Sequence, residues 1–363
     1  MIDTERLLQL SRQYRTPLED TMFISLNMSG VSFKCDYNRM RTAVRLENHE
    51  LFGYAEERNE LEYYFALPIN DSSPFRISGD VLSLGDTAIG STVGATEDIC
   101  DSHYPRRRGT SLNLNPNSRT SCRGCEFCYT AYQVPCDRKK LRDRRDLEEF
   151  FEGWMKGRCL SDLSGLIQVS VVTGCYDGGK EVCRFILELR SVLSRYGFNG
   201  SIFYLGSQLT TEDELSRLEA AKPVSVCYSL ETFERRELLR DKKRLLSLNR
   251  AVELMDFSRE SGYETSFSYV IGLEPLHIVG KHFSYLKDHI NKFPIINTLQ
   301  IHKYHRAELA DPSVDGPEYY LRARRLLEQI FSDTPMRPLV WENYRSLWFL
   351  TFNNEPLYGW RTP

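Results

Sequence analysis

No stretch of this 363-residue chain is apolar over the length that a bilayer crossing needs, and its first five residues carry no signal-peptide pattern. Neither a membrane protein nor a secreted one is expected. Excess charge is missing too. The 47 Lys and Arg face 50 Asp and Glu, for a formal net charge of −3, so there is no global basic field of the kind nucleic acid selects. Internal repeats and low-complexity segments are absent, which excludes solenoids and disordered tails. With no secretion signal, the ten cysteines point to a reducing cytoplasm where thiols stay free or bind metal. At 41% hydrophobic and 12% aromatic, the chain can bury one large core or two unequal ones.

What is present is a cluster of thiols. Cys122, Cys125 and Cys128 fall within seven residues as Cys-x2-Cys-x2-Cys, after a strand-like run at 110–115 and the break Pro116-Asn117-Ser118. Three such close thiols fit one soft-metal centre better than an apolar core, and they select zinc, copper(I) or an iron–sulfur cluster. Zinc sites use four ligands, normally as two separated pairs. No second Cys-x2-Cys pair follows, and the nearest further thiol is Cys136. A zinc- or Fe–S-stabilised protein that binds or modifies nucleic acid, with Cys136 as fourth ligand, therefore stays open. So does an electron-transfer protein.

The rest of the chain divides by its pattern. Residues 1–20 read as a short amphipathic helix stopped at Thr16-Pro17, and 21–96 as short β-prone segments at 22–26, 44–46, 61–64 and 75–84, separated by Asn, Asp, Ser, Gly and Pro breakers. From residue 110 strand, loop and helix alternate. Strands are expected at 110–115, 165–173, 201–205, 224–230, 263–271 and 295–304. Helices are expected at 147–155, 182–196, after Thr211-x-x-Glu214 (a capping box), and at 245–260, 279–293 and 319–331. That alternation predicts six βα units and a parallel sheet, in either an open doubly wound sheet or a barrel. The expected division is a β-rich domain over 1–105, a barrel domain over 106–310, and a C-terminal helix with an aromatic tail (Trp341, Tyr344, Trp348, Tyr358, Trp360) over 311–363, packing on the barrel.

With Phe127 before the last cysteine, the motif resembles that of the radical S-adenosylmethionine superfamily, although it is one residue shorter than the usual Cys-x3-Cys-x2-Cys. The resemblance spans roughly residues 108–310, taking in the order of elements as well as the motif. It implies an α/β fold, a partial (βα)6 TIM-like barrel with its cluster in the loop after the first barrel strand. It further implies a [4Fe–4S] cluster on Cys122, Cys125 and Cys128, whose unique iron binds S-adenosylmethionine. Reductive cleavage would then give a 5′-deoxyadenosyl radical that abstracts hydrogen from a small-molecule or peptide substrate. An external one-electron donor of flavodoxin or ferredoxin type is the implied partner, with no membrane and no nucleic acid.

The same resemblance assigns cofactor binding to Phe127, to Thr173, Gly174, Asp177 and Glu181 after the second strand, to Ser229 and Glu231 at the end of the fourth, and to Ile271 and Gly272 at the end of the fifth. His302 and Tyr304, within the polar run 300–306, are the candidates for handling a proton, because imidazole titrates near physiological pH. The basic runs at 106–108 and 138–145 read as solvated faces first and as donor-docking patches second.

Overall fold

The computed structural model describes residues 2–52, 62–99, 103–116, 124–128, 141, 143–172, 176–304 and 306–363. Within it the chain forms two compact units. One takes Met1–Ile99, Tyr269–Ser284 and Ile295–Thr362; the other takes Cys100–Ser268, Tyr285–Pro294 and the terminal Pro363.

The first unit begins with α1 (Thr4–Tyr14), whose Asp3 side chain caps its start by accepting from the Arg6 N–H at 2.8 Å. A second helix follows, α2 (Leu18–Ser29), where the sequence pattern suggests a strand at 22–26. The reason is burial. From Glu19 to Ser29 every residue of α2 is buried, so the segment shows no one-sided apolar stripe, and its Phe and Ile content reads as β. Five strands come next: β1 (Arg39–Leu46), then after the short α3 (His49–Phe52) β2 (Glu62–Pro68), β3 (Phe75–Ser78), β4 (Val81–Leu84) and β5 (Thr87–Glu97). They form a sheet in the order β2-β1-β5-β4-β3, antiparallel at each recorded pair. The run expected at 75–84 is a hairpin, turned at Gly79, whose φ is +63°. Phe23 of α2 packs on Tyr63 and Phe65 of β2, with ring centroids 4.5 and 5.1 Å apart.

In the second unit the alternation predicted from sequence is present. A hairpin of β6 (Tyr104–Arg106) and β7 (Ser111–Leu114) precedes the cysteine segment. Then come α4 (Arg144–Gly157), β8 (Gln168–Val172), α5 (Gly179–Arg195), β9 (Ser201–Gly206), α6 (Glu212–Ser216), β10 (Val224–Glu231), α7 (Asp241–Leu245), α8 (Leu248–Glu260) and β11 (Glu264–Ile271). The capping box at Thr211 and Glu214 forms in both directions.

Strand β11 crosses into the first unit at Tyr269, and that unit continues with α9 (Leu276–Leu286), β12 (Ile295–Thr298), α10 (Pro317–Ile330) and the pair β13 (Thr351–Phe352) and β14 (Glu355–Pro356). The strand expected at 295–304 thus stops at Thr298. The sheet order is β12-β11-β10-β9-β8-β7-β6; the pairs β7–β8, β8–β9 and β9–β10 are parallel, and β6 is antiparallel at the edge. Each strand lies beside its predecessor. A doubly wound sheet reverses strand order at a switch point, whereas this sequential order is that of a barrel sheet.

No helix of the described residues is long and apolar enough to cross a membrane.

Candidate cluster and cofactor site

The cysteine segment follows β7, at the C-terminal end of a parallel strand, where α/β sheets carry their sites. Gly124 takes φ +72°, a conformation glycine adopts without strain, and turns the chain into Cys125. A tight turn follows, closed by the Cys128 N–H donating to the Cys125 carbonyl at 2.8 Å. Cys125 is buried, while Phe127 and Cys128 are half-buried. Neither cysteine is in a disulfide. Cys122 and Cys136 lie outside the described residues, and among those described no three metal-binding side chains converge.

The turn is held by the segment that follows β10. The Glu126 N–H donates to the Leu238 carbonyl at 2.9 Å, and the Glu126 carboxylate pairs with Arg240. Arg236 ties this segment to the strand end. Its guanidinium donates to the carbonyls of Leu230 (2.9 Å), Thr232 (3.1 Å) and Leu246 (2.6 Å), and to that of Lys243. Glu231, the last residue of β10, has φ +62°, a left-handed conformation that costs a non-glycine residue about 1–3 kcal/mol. Its buried carboxylate meets the Lys243 ammonium at 2.7 Å. Burial works against charge on Lys243, but Glu231 and the thiols of Cys125 and Cys128 outweigh it and raise its pKa. Burial likewise pushes the Cys125 thiol up to about 11; Lys243 and a hydrogen bond from the Arg240 backbone N–H pull the other way. Arg236, Arg240 and Lys243 are not among the residues expected from sequence, since neither a motif nor a strand end marks them.

Below this rim the sheet has two unlike faces. Leu112, Val169, Ile202 and Val224 stand in register on one face, followed by Leu114, Val171, Tyr204 and Val226. On the other, Asn113, Ser170, Phe203 and Ser225 form one row, and Val172, Leu205 and Cys227 the next. Barrel interiors are normally filled with branched apolar side chains. Here Ser111 Oγ, Asn113 Oδ1, Ser225 Oγ and Ser229 Oγ are buried with no hydrogen-bond partner among the described residues. An unmet buried hydroxyl costs about 1–3 kcal/mol, so this row asks for water or a polar ligand.

Asp177 is exposed, and Glu181, in the first turn of α5, accepts the Asp177 N–H at 2.8 Å. Gly179 lies against the Glu214 side chain: a Cβ there would be 2.1 Å from the carboxyl carbon, so the carboxylate would have to shift. Thr173 and Gly174 lie outside the described residues. In the first unit, the Ile271 carbonyl accepts from Leu299 N–H at 2.9 Å, and Gly272 takes φ +112° with its carbonyl accepting from Asp311 N–H at 2.9 Å. His302 is buried and its Nδ1 accepts the Tyr304 N–H at 3.1 Å, which leaves the proton of a neutral ring on Nε2. Tyr304 Oη lies 3.4 Å from Asn38 Oδ1.

No family model and no curated protein matches this chain. Solved structures that resemble it include Streptococcus suis SuiB bound to S-adenosylmethionine (TM-score 0.44, 15% identity, covering 64% of this chain and 50% of that one). SuiB itself follows (0.43, 15%, 64% and 49%), then SuiB bound to precursor peptide SuiA (0.38, 16%, 54% and 40%). The chain therefore spans about half the length of SuiB or less. At these TM-scores the likeness carries no argument about function.

Proposed function

We propose that this chain is a radical S-adenosylmethionine enzyme with a (βα)6 partial barrel, its barrel domain over 106–310, a β-rich domain over 1–105 and a C-terminal helix and tail over 311–363. The observation that carries this reading is the Cys125–Cys128 turn, tied through Glu126, Arg240 and Arg236 to a strand end that presents Glu231 and the unmet hydroxyl of Ser229. The donor set fits. Thiolates on Cys122, Cys125 and Cys128 suit a [4Fe–4S] cluster, and three of them leave one iron to a chelating cofactor. When bound, cluster and S-adenosylmethionine supply a 5′-deoxyadenosyl radical for hydrogen abstraction from a small-molecule or peptide substrate.

The chain's own residues supply position and exclusion of water. Ser229 and Glu231 meet the ribose and polar end of the cofactor. Phe127, Thr173, Gly174, Asp177 and Glu181 border the cluster and the amino-acid end, and the backbone at Ile271 and Gly272 receives the adenine. His302 holds a proton on Nε2 that Tyr304 orients through its N–H. A flavodoxin- or ferredoxin-type protein of the cytoplasm delivers the electron.

The test is 5′-deoxyadenosine formation by anaerobically reconstituted protein with dithionite and S-adenosylmethionine. Release by the wild type, and its loss in Cys125→Ser and Cys128→Ser, supports the reading. A colourless protein that holds zinc through Cys136 and releases none refutes it.

A further inference from the structure

We propose that Lys243, locked to Glu231 beside the cysteine turn, sets the reduction potential of the cluster held there, its ammonium favouring the reduced form and the Glu231 carboxylate opposing it. This rests on the cluster assigned above. The geometry comes from three independent ties. Arg236 binds the carbonyl of Lys243 and those of Leu230 and Thr232 with one guanidinium, so the backbone of residue 243 is fixed to the end of β10. Glu126, between the two described thiols, is fixed to the same segment through Leu238 and Arg240. Lys243 and Glu231 then meet at 2.7 Å, with side chains 24% and 9% exposed, so water screens the pair less than it would at the open surface.

The charge balance fixes the sign. A [4Fe–4S] core on three thiolates carries one net negative charge when oxidised and two after accepting one electron, with no proton needed. A fixed cation nearby lowers the free energy of the second form more than the first, and a fixed anion does the reverse. Lys243 is thus a positioning residue for the electron, acting through the cluster and not on substrate.

The test is a redox titration of the reconstituted full-length protein without S-adenosylmethionine, poised with dithionite and mediators and read by the electron paramagnetic resonance of the reduced cluster. Lys243→Gln should shift the midpoint to more negative potential and Glu231→Gln to more positive. The double variant should fall between them, and Lys243→Arg should stay near wild type. A merely structural role gives a different sign, because loosening the site admits water, which stabilises the more charged reduced form and moves every variant upward. A Lys243→Gln midpoint that is unchanged or more positive overturns the proposal. If that variant loses its cluster, Glu231→Gln and Lys243→Arg decide: a Glu231→Gln midpoint at or below wild type, or a large shift in Lys243→Arg, is equally contrary. Wild-type protein that forms no iron–sulfur cluster overturns the proposed function, whereas a wild-type cluster whose potential ignores both residues overturns this proposal alone.

Discussion

Residue by residue, the site departs from what local preference would choose, and each departure is testable. Gly272 holds φ +112°, and a Cβ there would lie 2.7 Å from Tyr320 Oη. Gly272→Ala should cost about 2–3 kcal/mol in a denaturant melt, and Tyr320→Phe in the same chain should recover part of it by removing the nearest atom. Cys125 gives a pH prediction. Its thiol, pushed by burial to about 11, stays protonated at neutral pH in the metal-free protein, so cluster loading should release protons in weak buffer. A folded pKa raised above the unfolded value stabilises the metal-free fold fully below the unfolded pKa, near 9, and that stability fades as pH rises through about 11. Thermal melts between pH 8 and 11 should fall more steeply for the wild type than for Cys125→Ala; parallel curves would contradict the burial argument.

Among elements, the segment after β10 is held by one side chain to an unusual degree. Four carbonyls share the Arg236 guanidinium, three of them at 2.6–3.1 Å and the fourth that of Lys243. Arg236→Met should cost about 3 kcal/mol and raise amide hydrogen exchange over 236–246 well before the rest of the unit opens. Unchanged exchange there would mean the clamp is dispensable. This is also where the sequence was least informative. Spacing singles out Cys125 and Cys128, and the strand end singles out Ser229 and Glu231, as candidates, but Arg236 and Lys243 act through backbone carbonyls and a left-handed partner, which no periodicity records. Glu181, expected from the family resemblance to border the cofactor, accepts the Asp177 N–H at 2.8 Å, a contact that the sequence pattern does not signal.

For the whole molecule, the strands between Ser111 and Ile271 were legible because buried strands and amphipathic helices alternate with different periods. α2 was not, because a helix buried on every face has no stripe to read. Its burial includes charge. Asp20 is fully buried, pairs with Arg324 at 2.9 Å and accepts the N–H groups of Phe349 (2.7 Å), Leu350 (3.0 Å) and Thr351 (3.2 Å); Arg324 also meets Glu328 at 2.9 Å. Arg324→Met would leave two carboxylates without their cation, so the first unit should lose about 3–5 kcal/mol, measured by chemical denaturation. A loss under about 1 kcal/mol would show that water reaches the pair.

The claim on which the functional account depends is that the protein leaves one iron to the cofactor. Mössbauer spectra of iron-57-reconstituted protein, recorded with and without S-adenosylmethionine, address it directly. The account predicts a [4Fe–4S] cluster in which one iron of the four changes its parameters when S-adenosylmethionine is added. Four equivalent irons indifferent to it, or a cluster whose fourth ligand is lost with Cys136→Ala, would contradict it.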